Sequence, residues 1–244
     1  MITWLASYPR SGNTLLRTIL NSCFGLTSQS VYSDEEFCHP AVQALIGHEA
    51  VGPDPHEFIG KAKRINRSLY VKTHELPGND SQQAIYVVRD GRSCLVSHYH
   101  FVKDILGREV TLGDIIRGAF GTSWSQHVKA WALSERPNTL VVRYEDLAAG
   151  RARTLRAISE FIGRPLLRNF DVSFKHLHTL YPSFFRCGSD QPNLRELDEH
   201  SKLLFERLHG DTLRKIGYGG LESAHCDTPD RRKSSTVNAA AADN

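Results

Sequence analysis

The sequence predicts an α/β fold with three layers, helix, sheet, helix, around a central parallel sheet. Three observations carry this. Four short runs rich in β-branched and apolar residues stand out at Ile2 to Ser7, Leu69 to Lys72, Ala84 to Arg89 and Thr139 to Tyr144. Three of them pass through a turn into a helical pattern, at Leu15 to Cys23, Ser93 to Ile105 and Leu147 to Ile162. Strands that alternate with helices close most economically as parallel neighbours with helices on both faces.

Taken in order, the first run leads into Tyr8-Pro9-Arg10-Ser11-Gly12-Asn13-Thr14 and an amphipathic helix. The second ends at Lys72-Thr73-His74, the third at Arg89-Asp90-Gly91, and the fourth at Tyr144-Glu145-Asp146. For the last helix, Asp146 is the expected N-cap, Leu155, Ile158, Phe161 and Ile162 form the apolar stripe, and Gly163 with Pro165 stop it. The polar, Gly- and Pro-bearing stretches Ser28 to Arg67 and Gly107 to Ser125 read as insertions at the loop edge of the sheet, where substrate-side contacts collect. One domain is expected over residues 1–221, and a disordered tail over 222–244, where Arg231-Arg232-Lys233 and the Ala239 to Ala242 run have no apolar period.

The chain has 244 residues, enough to bury a core without disulfides or a structural metal. Its five cysteines, Cys23, Cys38, Cys94, Cys187 and Cys226, include no C-x-x-C pair, which argues against a disulfide framework and a zinc ribbon. A formal charge of +3 is too small for a general nucleic-acid or membrane-surface binder, so any anion site must be local. The absence of a signal-like N-terminus and of an 18-residue apolar run leads to the expectation of a soluble, cytoplasmic protein.

The first loop is a phosphate-binding candidate on physical grounds. Backbone N–H groups at a loop and helix N-terminus converge on one point, the helix dipole favours an anion there, and Arg10 adds a full charge. Gly12 allows close approach of the backbone, and Ser11 and Thr14 offer hydroxyl donors. The nucleoside-triphosphatase pattern G-x-x-x-x-G-K-[ST] is not met: the first Gly is missing and no Lys precedes Thr14, which weakens a kinase reading.

With this loop, four later segments in the same order resemble the sulfotransferases that use 3′-phosphoadenosine 5′-phosphosulfate (PAPS): Lys72-Thr73-His74, Arg89-Asp90-Gly91-Arg92-Ser93 through Ser97, Tyr144-Glu145-Asp146-Leu147, and Phe184-Phe185-Arg186-Cys187-Gly188. The likeness continues from Leu204 to Asp211 and at Gly217-Tyr218. The resemblance implies a P-loop-like fold and PAPS as cosubstrate, with no metal. It implies that Arg10, Ser11, Gly12, Asn13 and Thr14 hold the 5′-phosphosulfate, where the family has a Lys at position 10. Arg89 and Ser97 then match the 3′-phosphate ligands, Arg186 and Gly188 the second 3′-phosphate segment, and Tyr144 the adenine-side aromatic. Cys187 stands where that segment usually has Lys, so one cation is lost unless a neighbour such as Arg195 compensates, and Leu15 replaces a frequent Trp.

His74 is the expected general base, with Glu75 as its rival, and Lys72, two residues before it on the same strand face, is placed to stabilise the transferring group. The acceptor, a small molecule or a glycan bearing a hydroxyl or amine, is expected to meet Phe37, His39, Phe101 and Trp124. Two other readings stand beside this one: a phosphotransferase of the same fold and a catalytically silent nucleotide-binding module. The His98/His100 and His176/His178 pairs are set aside as metal ligands, since a spacing of two puts them on different helix faces. Trp124, His127 and Trp131 at helical spacing read as core, as do Cys23 and Cys94.

Overall fold

The computed structural model describes residues 1–32, 39–51, 54, 57–58, 60, 68–182, 184–186 and 191–219. Phe37, Cys187, Gly188 and the 222–244 tail lie outside the described residues.

Five parallel strands form one sheet: β1 (Ile2–Ser7), β2 (Gln29–Ser30), β3 (Leu69–Thr73), β4 (Gln83–Val88) and β5 (Thr139–Arg143), in the spatial order β2-β3-β1-β4-β5. The four expected strands are present to within a residue. The fifth, β2, falls inside the stretch expected to be an insertion. Two residues at a sheet edge are too few to show a period.

The alternation of side chains along β1 and β4 assigns the helices to two faces. Ala6 of β1 and Ala84, Tyr86 and Val88 of β4 face one core with Trp124, Val128, Trp131 and Phe205. Leu5, Ile85 and Val87 face the other, with Leu16, Ile19, Leu20 and Ile158. Thus α1 (Asn13–Phe24) lies on one side. On the other lie α3 (Gly91–His100), which runs on into the π-helical turn Phe101–Ile105, α5 (Trp124–Ala132) and the long helix α10 (Glu199–Lys215). The sequence reading placed Trp124, Trp131 and His127 in the core, and all three are at most 2% exposed. Cys23 and Cys94 are fully buried as expected.

The expected Leu147 to Ile162 helix is two helices, α6 (Tyr144–Ala148) and α7 (Ala152–Ile162), broken at Gly150, whose φ is +57°. Asp146 is therefore no N-cap. It sits inside α6 and pairs with Arg151 at 2.8 Å and Arg153 at 3.3 Å, while Arg151 occupies the cap position of α7 without a side-chain cap bond. Gly163 ends α7 in the left-handed conformation as the sequence reading required. The stretch Gly107 to Ser125 is less irregular than expected. It contains α4 (Leu112–Arg117), started by a Thr111/Asp114 capping box, and Ser123 with Gln126 forms a second box at the start of α5. The remaining helices are α2 (Pro40–Leu45), α8 (Phe174–Leu180) and α9 (Gln191–Arg195).

In a parallel sheet all C-terminal strand ends share one edge. Here the chain first goes outward from β1 to β2, comes back through β3, and then crosses to the other side of β1 for β4 and β5. The reversal lies beside β1, and a crevice is expected at the C-terminal edge there. Among the described residues no helix is long and apolar enough to cross a membrane.

Candidate active site

A cleft of about 880 Å³ opens at that edge. The C-terminal ends of four strands deliver its wall: the Tyr8 to Gly12 loop after β1, Lys72 and His74 at the end of β3, Arg89 after β4 and Tyr144 after β5. Arg10, Gly12, Asn13, Thr14, Lys72, His74, Arg89, Ser97, Tyr144 and Arg186, ten of the residues singled out from sequence, all line it.

Gly12 has φ +107°, and a Cβ there would lie 2.6 Å from Cδ2 of Tyr144. The glycine is required twice over, by the turn and by the ring packed on it. Tyr144 in turn lies under Arg89, whose Cζ is 4.2 Å from the ring centroid. Arg89 donates to the Arg10 carbonyl at 3.1 Å and to Ser93 Oγ at 3.2 Å, so the β4 end is tied to the loop that follows β1.

Arg10 has φ +66° in a non-glycine residue. Its Nε donates to Ser97 Oγ at 3.3 Å and one terminal nitrogen donates to the Phe184 carbonyl at 2.6 Å. The guanidinium lies 4.2 Å from the Phe184 ring centroid and 5.3 Å from that of Phe101. Desolvation first, and then the charge of Arg89, pull its pKa down to about 10. The site thus holds like charges close together, an arrangement that favours a multiply charged anion between them.

Two loop residues do other work than the sequence reading assigned to their side chains. Ser11 is 1% exposed, and its hydroxyl meets Cys94 Sγ at 3.1 Å instead of facing the cleft. Asn13 donates from Nδ2 to the Leu5 carbonyl at 2.8 Å and to Ser7 Oγ at 3.3 Å, pinning the loop to β1. The Ser11 N–H is itself donated to the Tyr8 carbonyl at 3.1 Å, closing the turn, so that of the two it is Asn13 whose backbone N–H is placed at the α1 N-terminus.

At the other end of the cleft His74 is held on several sides. Its Nδ1 is 2.7 Å from the Ser7 carbonyl, which can only accept, so the ring proton sits on Nδ1 and Nε2 is the basic nitrogen. The His74 N–H donates to Tyr32 Oη at 2.9 Å, and the two rings stack with centroids 5.7 Å apart. The His74 carbonyl accepts from His127 Nε2 at 3.1 Å, and the next carbonyl, of Glu75, accepts from Trp131 Nε1 at 2.9 Å. His127 is fully buried, and desolvation lowers its pKa to about 4. It is therefore a neutral donor with Nδ1 turned to Tyr86 Oη at 3.0 Å. The Lys72 ammonium lies 5.5 Å from the Tyr32 ring centroid, on the same side of the cleft. Glu75 also lines the cleft but is exposed.

Arg186 enters from the segment before α9. Its terminal nitrogens donate to Asn193 Oδ1 at 2.6 Å and to Glu196 Oε1 at 2.9 Å. Arg195, the expected compensating cation, is exposed and is not part of the cleft wall; α9 turns Asn193 inward in its place. Of the expected acceptor contacts, Phe101 is in the wall. Trp124 is fully buried in the core, and His39 caps α2 outside the cleft, its Nδ1 accepting from the Ala41 N–H. His98 and His100 take separate partners, His98 the Tyr8 hydroxyl and His100 the carboxylates of Asp104 and Glu196.

The sequence reading missed Tyr32, Asn193, the role of His127 and the buried Arg17, which also lines the cleft and donates to Ser28 Oγ at 2.8 Å. His127 carried a signal, a polar residue in an otherwise apolar helical stripe. Tyr32 and Asn193 carried none, because they come from short or irregular segments.

Comparison with known proteins agrees with this geometry. The sulfotransferase domain family matches residues 2–196. A luciferin sulfotransferase of Photinus pyralis is 25% identical over 256 residues, which cover 83% of this chain and 69% of that protein. Sulfotransferase 1C2 of Homo sapiens is 27% identical over 180 residues, 66% of this chain, and the match spans only 58% of the human protein. Among solved structures, retinol dehydratase in complex with androsterone and the inactive cofactor PAP superposes with a TM-score of 0.60 at 20% identity, over 91% of this chain and 83% of that one. The family match takes in the loop after β1, the His74 and Arg89 strand ends and the Arg186 segment together, and the chain belongs to the sulfotransferase domain family.

Proposed function

We propose that the protein moves the sulfuryl group of PAPS to a hydroxyl or amine of a small, largely apolar acceptor, with His74 as general base. The observation that carries this is the pairing, in one cleft, of a cationic end built from Arg10, Arg89 and Arg186 with a histidine whose Nε2 is the basic nitrogen. A volume near 880 Å³ suits a nucleotide and a small acceptor together.

The donor set fits the nucleotide. Arginine forks suit phosphate oxygens, the α1 N-terminus suits a phosphate at the Gly12 turn, and Tyr144 offers an aromatic face beside it. When bound, PAPS supplies a sulfuryl group attached to a phosphate leaving group. Arg10 and the backbone N–H groups of residues 12–14 stabilise the charge that grows on that phosphate. His74 Nε2 takes the acceptor's proton as the new bond to sulfur forms and the bond to the leaving phosphate breaks. Lys72 balances charge on the equatorial oxygens. Glu75 is the weaker base, because its exposed carboxylate is held by no comparable set of bonds. Arg89, Ser97 and Arg186 read the 3′-phosphate, with Gly188 in the same segment.

Beside the polar groups, the cleft is lined by Tyr32, which stacks on His74, and by Leu76, Phe101, Leu106 and Phe120, all apolar or aromatic. They favour a planar or hydrophobic alcohol or phenol over a glycan, whose many hydroxyls would be left without partners. A kinase reading has no Gly-Lys-[ST] signature to support it, and a silent module would not need His74 held in a single tautomer. The test is calorimetric titration with 3′-phosphoadenosine 5′-phosphate (PAP) in EDTA beside ATP with Mg²⁺, followed by a PAPS assay against phenols and hydrophobic alcohols. Tight, metal-independent binding of PAP and turnover of a phenol are expected. Binding of ATP alone would overturn the reading.

A further inference from the structure

We infer that Asn193, acting through Ser93, is a positioning residue that holds Arg186 and Arg89 together as a single site for a phosphate monoester. The inference rests on the reading of these arginines as 3′-phosphate ligands and adds what sets their relative position. The two cations come from distant parts of the chain. Arg89 follows β4, whereas Arg186 lies in a segment without regular structure.

A continuous set of hydrogen bonds joins them. Arg186 donates to Asn193 Oδ1 at 2.6 Å; Asn193 Nδ2 donates to the Ser93 carbonyl at 3.1 Å and to Ser93 Oγ at 3.0 Å; and Arg89 donates to the same Oγ at 3.2 Å. The amide orientation is unambiguous, because a guanidinium can only donate and a carbonyl can only accept. Asn193 is 2% exposed and Ser93 fully buried, so neither bond is exchanged cheaply for water.

The chemistry of the link matters as much as its geometry. Two guanidiniums on one wall repel each other, and a carboxylate between them would hold them but would also cancel the charge that a phosphate needs. A neutral amide and a hydroxyl orient both forks and leave their charge for the ligand. Glu196 also takes Arg186, but it does so from the solvent side, with its side chain 37% exposed and screened by salt. The family resemblance gives this segment one cation fewer than usual, since Cys187 stands in place of Lys, so the aim of the remaining Arg186 counts for more.

The test compares PAP with adenosine 5′-monophosphate (AMP), which lacks the 3′-phosphate, by titration calorimetry on the wild type, Asn193→Ala, Ser93→Ala and Glu196→Gln. Asn193→Ala is expected to weaken PAP roughly tenfold to thirtyfold and AMP by less than about threefold, so that the preference for PAP collapses. Ser93→Ala, which keeps the carbonyl, should move the same ratio in the same direction by about threefold to tenfold, and it carries the test if Asn193→Ala does not fold. Glu196→Gln should change neither ligand by more than about threefold. Equal losses for PAP and AMP in the Asn193 and Ser93 variants would make the residues merely structural and overturn the inference, as would unchanged binding. A wild type that binds PAP and AMP alike would instead remove the 3′-phosphate reading beneath it.

Discussion

The two ends of the cleft are held by different physics. Around His74 the segment is fixed by neutral groups: the Ser7 carbonyl, the Tyr32 hydroxyl, and the His127 and Trp131 donors on the two carbonyls. Around Arg10, Arg89 and Arg186 the site gathers positive charge, braced by hydroxyls, carbonyls, an amide and, on the solvent side of Arg186, the Glu196 carboxylate. The first end is fixed before any ligand arrives, which suits the proton transfer proposed for His74. The second is under like-charge repulsion that an anion relieves, so it is the end that a ligand should stabilise. The proposed reaction would thereby divide between a rigid acceptor end and a charge-completed nucleotide end.

The largest expected effect that would sharpen this comparison is at the neutral end. His74→Ala should lower kcat by about 100-fold or more while PAP affinity changes by less than about threefold; a large loss of PAP binding in calorimetry would make His74 structural and erase the division. At the charged end Gly12→Ala should reduce PAP binding by at least tenfold and lower stability by about 1–3 kcal/mol, because φ +107° and Tyr144 both exclude a Cβ. A denaturant melt with and without PAP checks both, and wild-type behaviour would show that the ring yields freely. Arg89→Ala should weaken PAP roughly tenfold while leaving adenosine 5′-phosphosulfate nearly unaffected; parallel losses would remove the 3′-phosphate assignment.

A smaller effect tests the neutral clamp itself. His127→Gln can still donate to the His74 carbonyl and should keep most of kcat, whereas His127→Phe should lose about tenfold in kcat with little change in the KM for PAPS. Similar kcat values for the two variants would show that the hydrogen bond is idle.

A separate prediction concerns pH. Burial holds His127 and His98 neutral with pKa values of about 4, below the usual 6.5 of an unfolded chain. The unfolded chain binds more protons than the native one between those values, so stability should fall as pH drops from about 6.5 towards 4. The expected slope is on the order of 1 kcal/mol per pH unit for each histidine. Denaturant midpoints at pH 7, 5.5 and 4.5 would read this, and the slope should flatten in His127→Gln.

The parts of the site that were legible in the sequence are those that local chain geometry dictates. A run such as Ile2 to Ser7 announces a buried strand, and the Arg10 to Thr14 turn announces a helix N-terminus with a cation beside it. Lys72 and His74 two apart on a strand must share a face, and both line the cleft. Where local signals compete, sequence pattern misleads. Asp146 was expected to cap a helix because acidic residues do so, but Gly150 breaks that helix and Arg151 and Arg153 claim the carboxylate. Trp124 fits both the core and an acceptor wall by residue type, and packing against Phe205 decides for the core.

Sequence alone determined the α/β class, four of the five strands and ten of the residues that line the cleft, since periodicity, turns and charge are local properties. Only the tertiary structure decided which distant side chains complete each of those groups. Tyr32 and Ser7 set the His74 tautomer and stacking, Tyr144 closes over Gly12, the Ser11 hydroxyl turns inward to Cys94, and Asn193 reaches Ser93 across 100 residues. The reason is physical: a hydrogen bond between groups far apart in the chain leaves no period in the sequence, and its partners become neighbours only when the sheet and its two helical layers have packed.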